Sequence, residues 1–159
     1  MPLTDLLSAD RVAIHRAGER VPPLDKDGVI HVLASLLASG GSKLDALEVE
    51  QVLLEREKLQ STGIGEGVAI PHGAMSQLDA QLAALLIVPD GVDFASIDER
   101  KVSIVFAVIG PKRATGEHLK TLARVSRLLR HQGFRDQLIA AESPAVAYGL
   151  IASEEAEHR

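Results

Sequence analysis

The sequence contains no cysteine. That absence excludes disulfides, thiol catalysis and cysteine-ligated metal together, so stability has to come from packing. Aromatic residues make up only 3% of the 159 residues, too few for a platform on which nucleic acid bases could stack. Positive charge is in deficit: the formal net charge is -5 and the pI about 5.7. An acidic chain opposes nonspecific binding of nucleic acid, whose affinity depends on neutralising phosphates with Lys and Arg. Long apolar runs are missing too. Leu82 to Pro89 and Val102 to Ile109 are interrupted well short of the roughly 20 residues that cross a bilayer, so no membrane insertion is expected. The start, Met1-Pro2-Leu3-Thr4-Asp5, lacks the basic stretch and apolar segment of a secretory signal, which predicts a cytoplasmic protein.

With 46% hydrophobic and 25% charged residues, the chain can bury the core of one ordinary domain. Ile30, Leu33, Leu36 and Leu37 recur at the period of an amphipathic helix from Asp27 to Ala38, which Gly40-Gly41 would end. A second helix is predicted from Asp45 to Leu59. Ser61-Thr62-Gly63-Ile64-Gly65-Glu66-Gly67 reads as turn material, because glycines at alternate positions permit backbone angles that side chains forbid. Val68-Ala69-Ile70 then reads as a short strand stopped by Pro71, with His72-Gly73 at its end. Gln81 to Val88 and Lys101 to Ile109 are strands by composition, Arg11 to Arg16 is a weaker one, and a short strand near Val92 to Phe94 is allowed. Helical spacing returns from Gly116 to Arg130 and from Phe134 to Ala141. Ser143-Pro144 is an N-cap and first-position pair, which predicts a last helix from Ala145 to Ser153. The expected architecture is α/β: a single layered domain over residues 1–153, with a mixed sheet flanked by helices on both faces and a frayed polar tail over 154–159. Arg124, Arg127 and Arg130 read as a solvated helix face.

The chemistry concentrates around His72. A histidine between proline and glycine has a restrained backbone on one side and little steric cover on the other. Its reference pKa of about 6.5 leaves much of the ring neutral at pH 7, so a free nitrogen can attack phosphorus. The glycine-rich turn before it could offer backbone N–H groups to phosphate oxygens. Two nucleotide-binding readings fail. A dinucleotide fingerprint leads from strand to helix, whereas Gly63, Gly65 and Gly67 follow a helix and lead into a strand. Gly40-Gly41-Ser42-Lys43 has neither the spacing nor the hydroxyl of a P-loop.

Arg56-Glu57-Lys58, then Ser61-Thr62-Gly63-Ile64-Gly65, then Gly67-Val68-Ala69-Ile70-Pro71-His72-Gly73 resemble the enzyme IIA domains of the bacterial phosphotransferase system, in the fructose, mannitol and nitrogen-regulatory branch. The resemblance continues through Phe94 to Asp98 and through Thr115-Gly116-Glu117-His118-Leu119, so it covers nearly the whole chain in order. It implies that His72 takes a phosphoryl group from a histidine phosphocarrier protein, with Arg56 and His118 beside it. A guanidinium can stabilise the charge of a transferring phosphoryl group, and a second imidazole can donate to its oxygen or orient the nucleophile. Ser61, Thr62, Gly63, Gly65, Glu66 and Gly73 become the candidate phosphate-binding loop. Glu66 stands where mannitol-type members carry an acid, either as part of the site or as a source of local charge. Gln60 departs from the glycine frequent before the serine-threonine pair. His15, His31, His131 and His158 match no motif.

No histidine and acidic set has metal-ligand spacing, and neither a metal nor a cofactor is expected. Without a membrane part or permease extension in the sequence, the chain resembles the free-standing nitrogen-regulatory type, whose phosphorylation state would alter binding to regulated target proteins. The alternatives are a phosphodonor to a separate sugar-specific membrane component and a regulator that binds without being phosphorylated.

Overall fold

A computed structural model describes residues 2–18, 20–39 and 43–157. Gly40-Gly41, expected to end the first long helix, together with Ser42 and His158, lie outside the described residues. In chain order the elements are α1 (Leu3–Leu6), β1 (Leu7–Ile14), α2 (Lys26–Leu37), α3 (Ala46–Leu59), β2 (Gly63–Gly65), β3 (Val68–Ala69), β4 (His72–Met75), β5 (Leu82–Val92), β6 (Val102–Pro111), α4 (Thr115–Leu128), α5 (Gln132–Ile139) and α6 (Pro144–Glu157).

β5 and β6 are nearly continuous runs of Val, Ile, Leu and Ala, which suits strands covered on both faces. They pair antiparallel at the centre of the sheet. Because side chains alternate, Ile104, Phe106 and Val108 pack under α4, α5 and α6, whereas Val105, Ala107 and Ile109 pack under α2 and α3. β1 adds in parallel to β5. On the other side of β6, β3 and then β4 pair in parallel with successive stretches of it, Val68 opposite Ile104 and His72 opposite Val108. β2 closes the edge against β3. The mixed sheet with helices on both faces is the architecture expected.

The helix caps follow the sequence. Asp25 accepts from the Gly28 N–H (2.7 Å), Asp45 from Leu47 (2.9 Å) and Ser143 Oγ from Val146 (3.2 Å).

Four local expectations are corrected. The turn Ser61–Gly67 contains a strand: Gly63–Gly65 pairs with β3 across a register shift, and the tight turn is made at positive φ by Gly65 (94°), Glu66 (59°) and Gly67 (79°), the glycines at 65 and 67 serving the freedom expected of them. The strand does stop before Pro71, but the Pro71 carbonyl accepts from the Val108 N–H (3.0 Å) and a new strand starts with the next residue. His72 therefore begins a strand rather than following one. Val92 belongs to β5, which runs past a register shift after Ile87 with Gly91 at φ 81°, and Phe94 lies beyond the strand. Finally α6 continues through Glu157 in place of a frayed end from Glu154. Buried Glu155 fixes it there, accepting from the Leu3 N–H (2.6 Å), the Thr4 N–H (3.4 Å) and Arg124 Nη2 (2.9 Å). Arg124 is thereby part of the fold and not simply a member of a solvated row.

Candidate functional site

Register decides what surrounds His72. Paired with Val108, it shares the sheet face covered by α4, while Gly73, paired with Ile109, shares the face covered by α3. A Cβ at Gly73 would stand 2.4 Å from Val52 Cγ1, so the missing side chain is what lets α3 cross β4 this closely. Arg56 follows Val52 by one helical turn on the same face of α3, near enough for its charge to act on His72. Its Nη1 donates to the Gln60 carbonyl (2.7 Å), fixing the side chain at the end of α3.

From the other face, α4 supplies His118 in its first turn, with its ring centroid 5.8 Å from that of His72 and the planes tilted by 52°. The His118 ring occupies space left by Gly110, where a Cβ would come within 3.1 Å of His118 Nδ1.

His72 Nδ1 lies 2.7 Å from the Ile70 carbonyl oxygen. A carbonyl oxygen only accepts, so Nδ1 carries the proton, and the neutral ring presents Nε2 as a lone pair. Burial is the main cause that pushes the His72 pKa below its ordinary value, with the Ile70 bond opposing and the charge of Arg56 assisting. Burial, and then His72 itself, also lowers the pKa of His118. Both shifts favour the neutral form of the two rings.

These directions fix a pH dependence. Between the depressed folded values and about 6.5, the unfolded chain binds more protons than the folded one, so stability is full above about pH 6.5 and falls as pH drops through that window. Thermal melts from pH 7.5 downward are expected to show the midpoint falling below about pH 6.5, and less steeply in His118→Gln.

The expected phosphate-binding loop divides. Ser61 Oγ donates to the Phe94 carbonyl (2.5 Å) and accepts from the Gly63 N–H (3.1 Å). Thr62 gives both its N–H (3.0 Å) and its hydroxyl to Glu57 Oε1. A Cβ at Gly63 would clash with Ser96 Oγ at 2.2 Å. These residues brace the approach to the site with donors already engaged. Gly65 and Glu66 do not join it. The step from Ile104 to Val108 puts Val68 about 13 Å from His72 along the strand direction, and both residues precede Val68. The Glu66 N–H bonds Asp98 (2.9 Å), and its carboxylate pairs with Arg100 (3.0 Å) and Arg135 (3.4 Å). The structure brings together Arg56, His72, Gly73 and His118.

Three contributors escaped the sequence reading. Glu57, inside the Arg56-Glu57-Lys58 run, is not a solvated helix-end charge: it anchors Thr62 and pairs with Lys26 Nζ (2.7 Å), which also lies 5.1 Å from the centre of the Phe94 ring. Gln81 and Gly110 are adjacent only through the pairing of β5 with β6, which no local motif announces.

The other histidines stand apart: His15 bonds the Pro22 carbonyl (3.0 Å) and His31 pairs with Glu50 (2.5 Å). A cavity of about 580 Å³, lined by Leu3, Arg124, Arg127, Arg130, His131 and Glu155 among others, opens between α4 and α6, away from the histidine pair. Among the described residues no cluster of three or more His, Asp or Glu could hold a metal ion, and no helix is long and apolar enough to cross a membrane.

Residues 21–154 match the family described as "Phosphoenolpyruvate-dependent sugar phosphotransferase system, EIIA 2". The chain is 34% identical to a nitrogen regulatory protein of Bradyrhizobium diazoefficiens over 96% of its own length and 95% of the relative's. It is 32% identical to the fructose-specific EIIABC component of Bacillus subtilis over 95% of its own length, but spans only 23% of that protein. The crystal structure of nitrogen regulatory protein IIA-Ntr from Neisseria meningitidis superposes with a TM-score of 0.82 at 27% identity, covering 94% of this chain and 98% of that one.

Proposed function

The chain belongs to the EIIA 2 family of the phosphoenolpyruvate-dependent sugar phosphotransferase system, whose EIIA domains take part in phosphoryl transfer, and on that premise we propose that it is a phosphocarrier which accepts a phosphoryl group on Nε2 of His72. The observation that carries this reading is the Nδ1–H bond to the Ile70 carbonyl, which leaves Nε2 as the nucleophile in a ring kept neutral by burial.

The donor is a phosphohistidine on a histidine phosphocarrier protein. The Nε2 lone pair of His72 forms the new N–P bond in line with the bond that breaks, and the donor ring leaves with that bond's electron pair. The Nδ1 proton stays with Ile70 throughout. Arg56, fixed by Gln60, sets a cation beside the transferring group, and His118 sets an N–H donor beside its oxygens. No deep covalent chemistry is required, and alignment with charge stabilisation does the rest.

What the phosphoryl group then does is regulatory in this reading. The near end-to-end similarity to a nitrogen regulatory protein supports it, and added negative charge at an open site would change which target proteins bind. The similarity to a fructose-specific EIIABC component favours a second use, onward transfer to a sugar-specific component. Either role belongs in the cytoplasm, where a phosphocarrier donor is found.

Incubation with a phosphorylated carrier protein, followed by peptide mapping in nonacidic mass spectrometry, tests the proposal. Label on the peptide containing His72 is expected. An unlabelled protein, beside a second acceptor that the same donor phosphorylates, would refute it. Passage of the label to a sugar-specific component would decide for the second use.

A further inference from the structure

We propose that Gln81 is the positioning residue that fixes the tautomer of His118, its side-chain amide N–H donating to His118 Nδ1 so that His118 carries its proton on Nε2. Leu82 lies opposite Ile109 in the β5–β6 ladder, which brings Gln81 to the level of Gly110. A Cβ at Gly110 would be 3.2 Å from Gln81 Cγ and 3.1 Å from His118 Nδ1, so the two side chains share the space that glycine leaves open. The pocket they share is closed: Gln81 Oε1 and His118 Nδ1 are both buried, and among the described residues neither has a hydrogen-bond partner. Buried polar atoms that find no partner cost stability, and the neighbouring side chain across Gly110 is the group that can satisfy each of them. A half turn of the amide about its terminal bond presents NH2 to a ring nitrogen that then accepts.

The neighbouring chemistry selects this polarity over its reverse. His72 has its only proton pinned on Nδ1 by Ile70, so its Nε2 can only accept. A phosphoryl group on that nitrogen would again present only acceptor oxygens. His118, whose ring centroid is 5.8 Å from that of His72 and whose Nδ1 lies against Gly110, has Nε2 left to serve an acceptor there and can do so only as an N–H. That requires Nδ1 to be the acceptor and the Gln81 amide to be its donor, the arrangement by which an outer partner sets the tautomer of an active histidine. The consequence for transfer rests on the phosphocarrier reading, whereas the contact itself does not.

Nitrogen-15 correlation spectra of the His118 ring in the unphosphorylated protein read the tautomer directly, with Nε2 protonated and Nδ1 accepting expected in wild type. In Gln81→Glu the carboxylate can only accept, so His118 is expected to move its proton to Nδ1, and the rate of phosphoryl acceptance at His72 to fall about tenfold to a hundredfold, the usual cost of losing such a partner. Gln81→Leu, which cannot bond either way, is expected to lose the tautomer bias with a smaller loss of rate. The His72 tautomer, held by Ile70, is expected to be the same in all three, which separates this effect from general damage to the fold. An Nδ1–H form in wild type, or one unchanged tautomer in wild type and Gln81→Glu, would overturn the proposal. If the tautomer reverses as expected but His72 takes no label even in wild type, the Gln81 contact stands and the phosphocarrier reading falls.

Discussion

Replacing His72 by alanine is expected to abolish phosphoryl acceptance, leaving label at the level of a reaction without donor. Among the described residues no other histidine shares the strand position of His72. His118 stands beside it, but its ring is buried against Gly110, and in the tautomer proposed above it donates and does not attack. His15 and His31 bond elsewhere. The loss is total because the nucleophile itself is gone, not merely mispositioned. Conversion of His118 to Ala, in contrast, is expected to slow labelling by about 100-fold, the lower range for a lost hydrogen-bond donor to a transition state, while label still accumulates on His72. Time courses with a phosphorylated carrier protein distinguish a zero endpoint from a slow approach to a full one.

The largest expected stability effect comes from Glu57. Its carboxylate is nearly buried, pairs with Lys26 and accepts both the N–H and the hydroxyl of Thr62, which is itself only 3% exposed. Glu57→Ala strands those two Thr62 donors, each costing on the order of 1–3 kcal/mol when buried without a partner. It also leaves Lys26 without its anion, at a lesser cost because the ammonium reaches water. The sum is about 3 kcal/mol, which lowers the melting midpoint by roughly 6–12 °C for a chain of this size. Glu57→Gln keeps an acceptor for Thr62 and is expected to recover about half of that. Urea melts of the two variants against wild type measure both effects. Equal and negligible losses would show that the segment from Ser61 to Gly63 is held by other contacts.

Helices were the readable part of this fold, since an apolar stripe at a period near 3.6 residues is a local property and the capping residues Asp25, Asp45 and Ser143 sit where local chemistry wants them. β5 and β6 were legible from their runs of buried β-branched and aliphatic residues. The hairpin was not. Gly63 and Gly65 read as turn residues because glycine frees the backbone, yet Gly63 is there for a different reason, the closeness of Ser96, which is remote in sequence. The same limit applies to Pro71: the strand stop it causes was visible in the sequence, but the restart at His72, helped by the Pro71 carbonyl, has meaning only beside Val108.

The site divides along the same line. His72 stood out by its place between proline and glycine and Arg56 and His118 by the family resemblance, and the structure adds what the sequence could not show: Gly73 admits α3 from one face and Gly110 admits the His118 ring from the other. Glu66 was drawn in by the resemblance, as a position where mannitol-type members carry an acid, and the strand register places it instead with Arg100 and Arg135. Burial of Glu155 against the opposite end of the chain explains why a polar C-terminal segment remains helical, a fact that composition cannot contain.

The central claim, that a neutral His72 pinned through Nδ1 receives phosphorus on Nε2, is tested most directly by phosphorus and nitrogen-15 NMR of the ring-labelled protein phosphorylated at alkaline pH. Phosphorus coupled to Nε2 of His72, with Nδ1 still bearing its proton, is the predicted result. Phosphorus on Nδ1, or on any other residue, would contradict the claim.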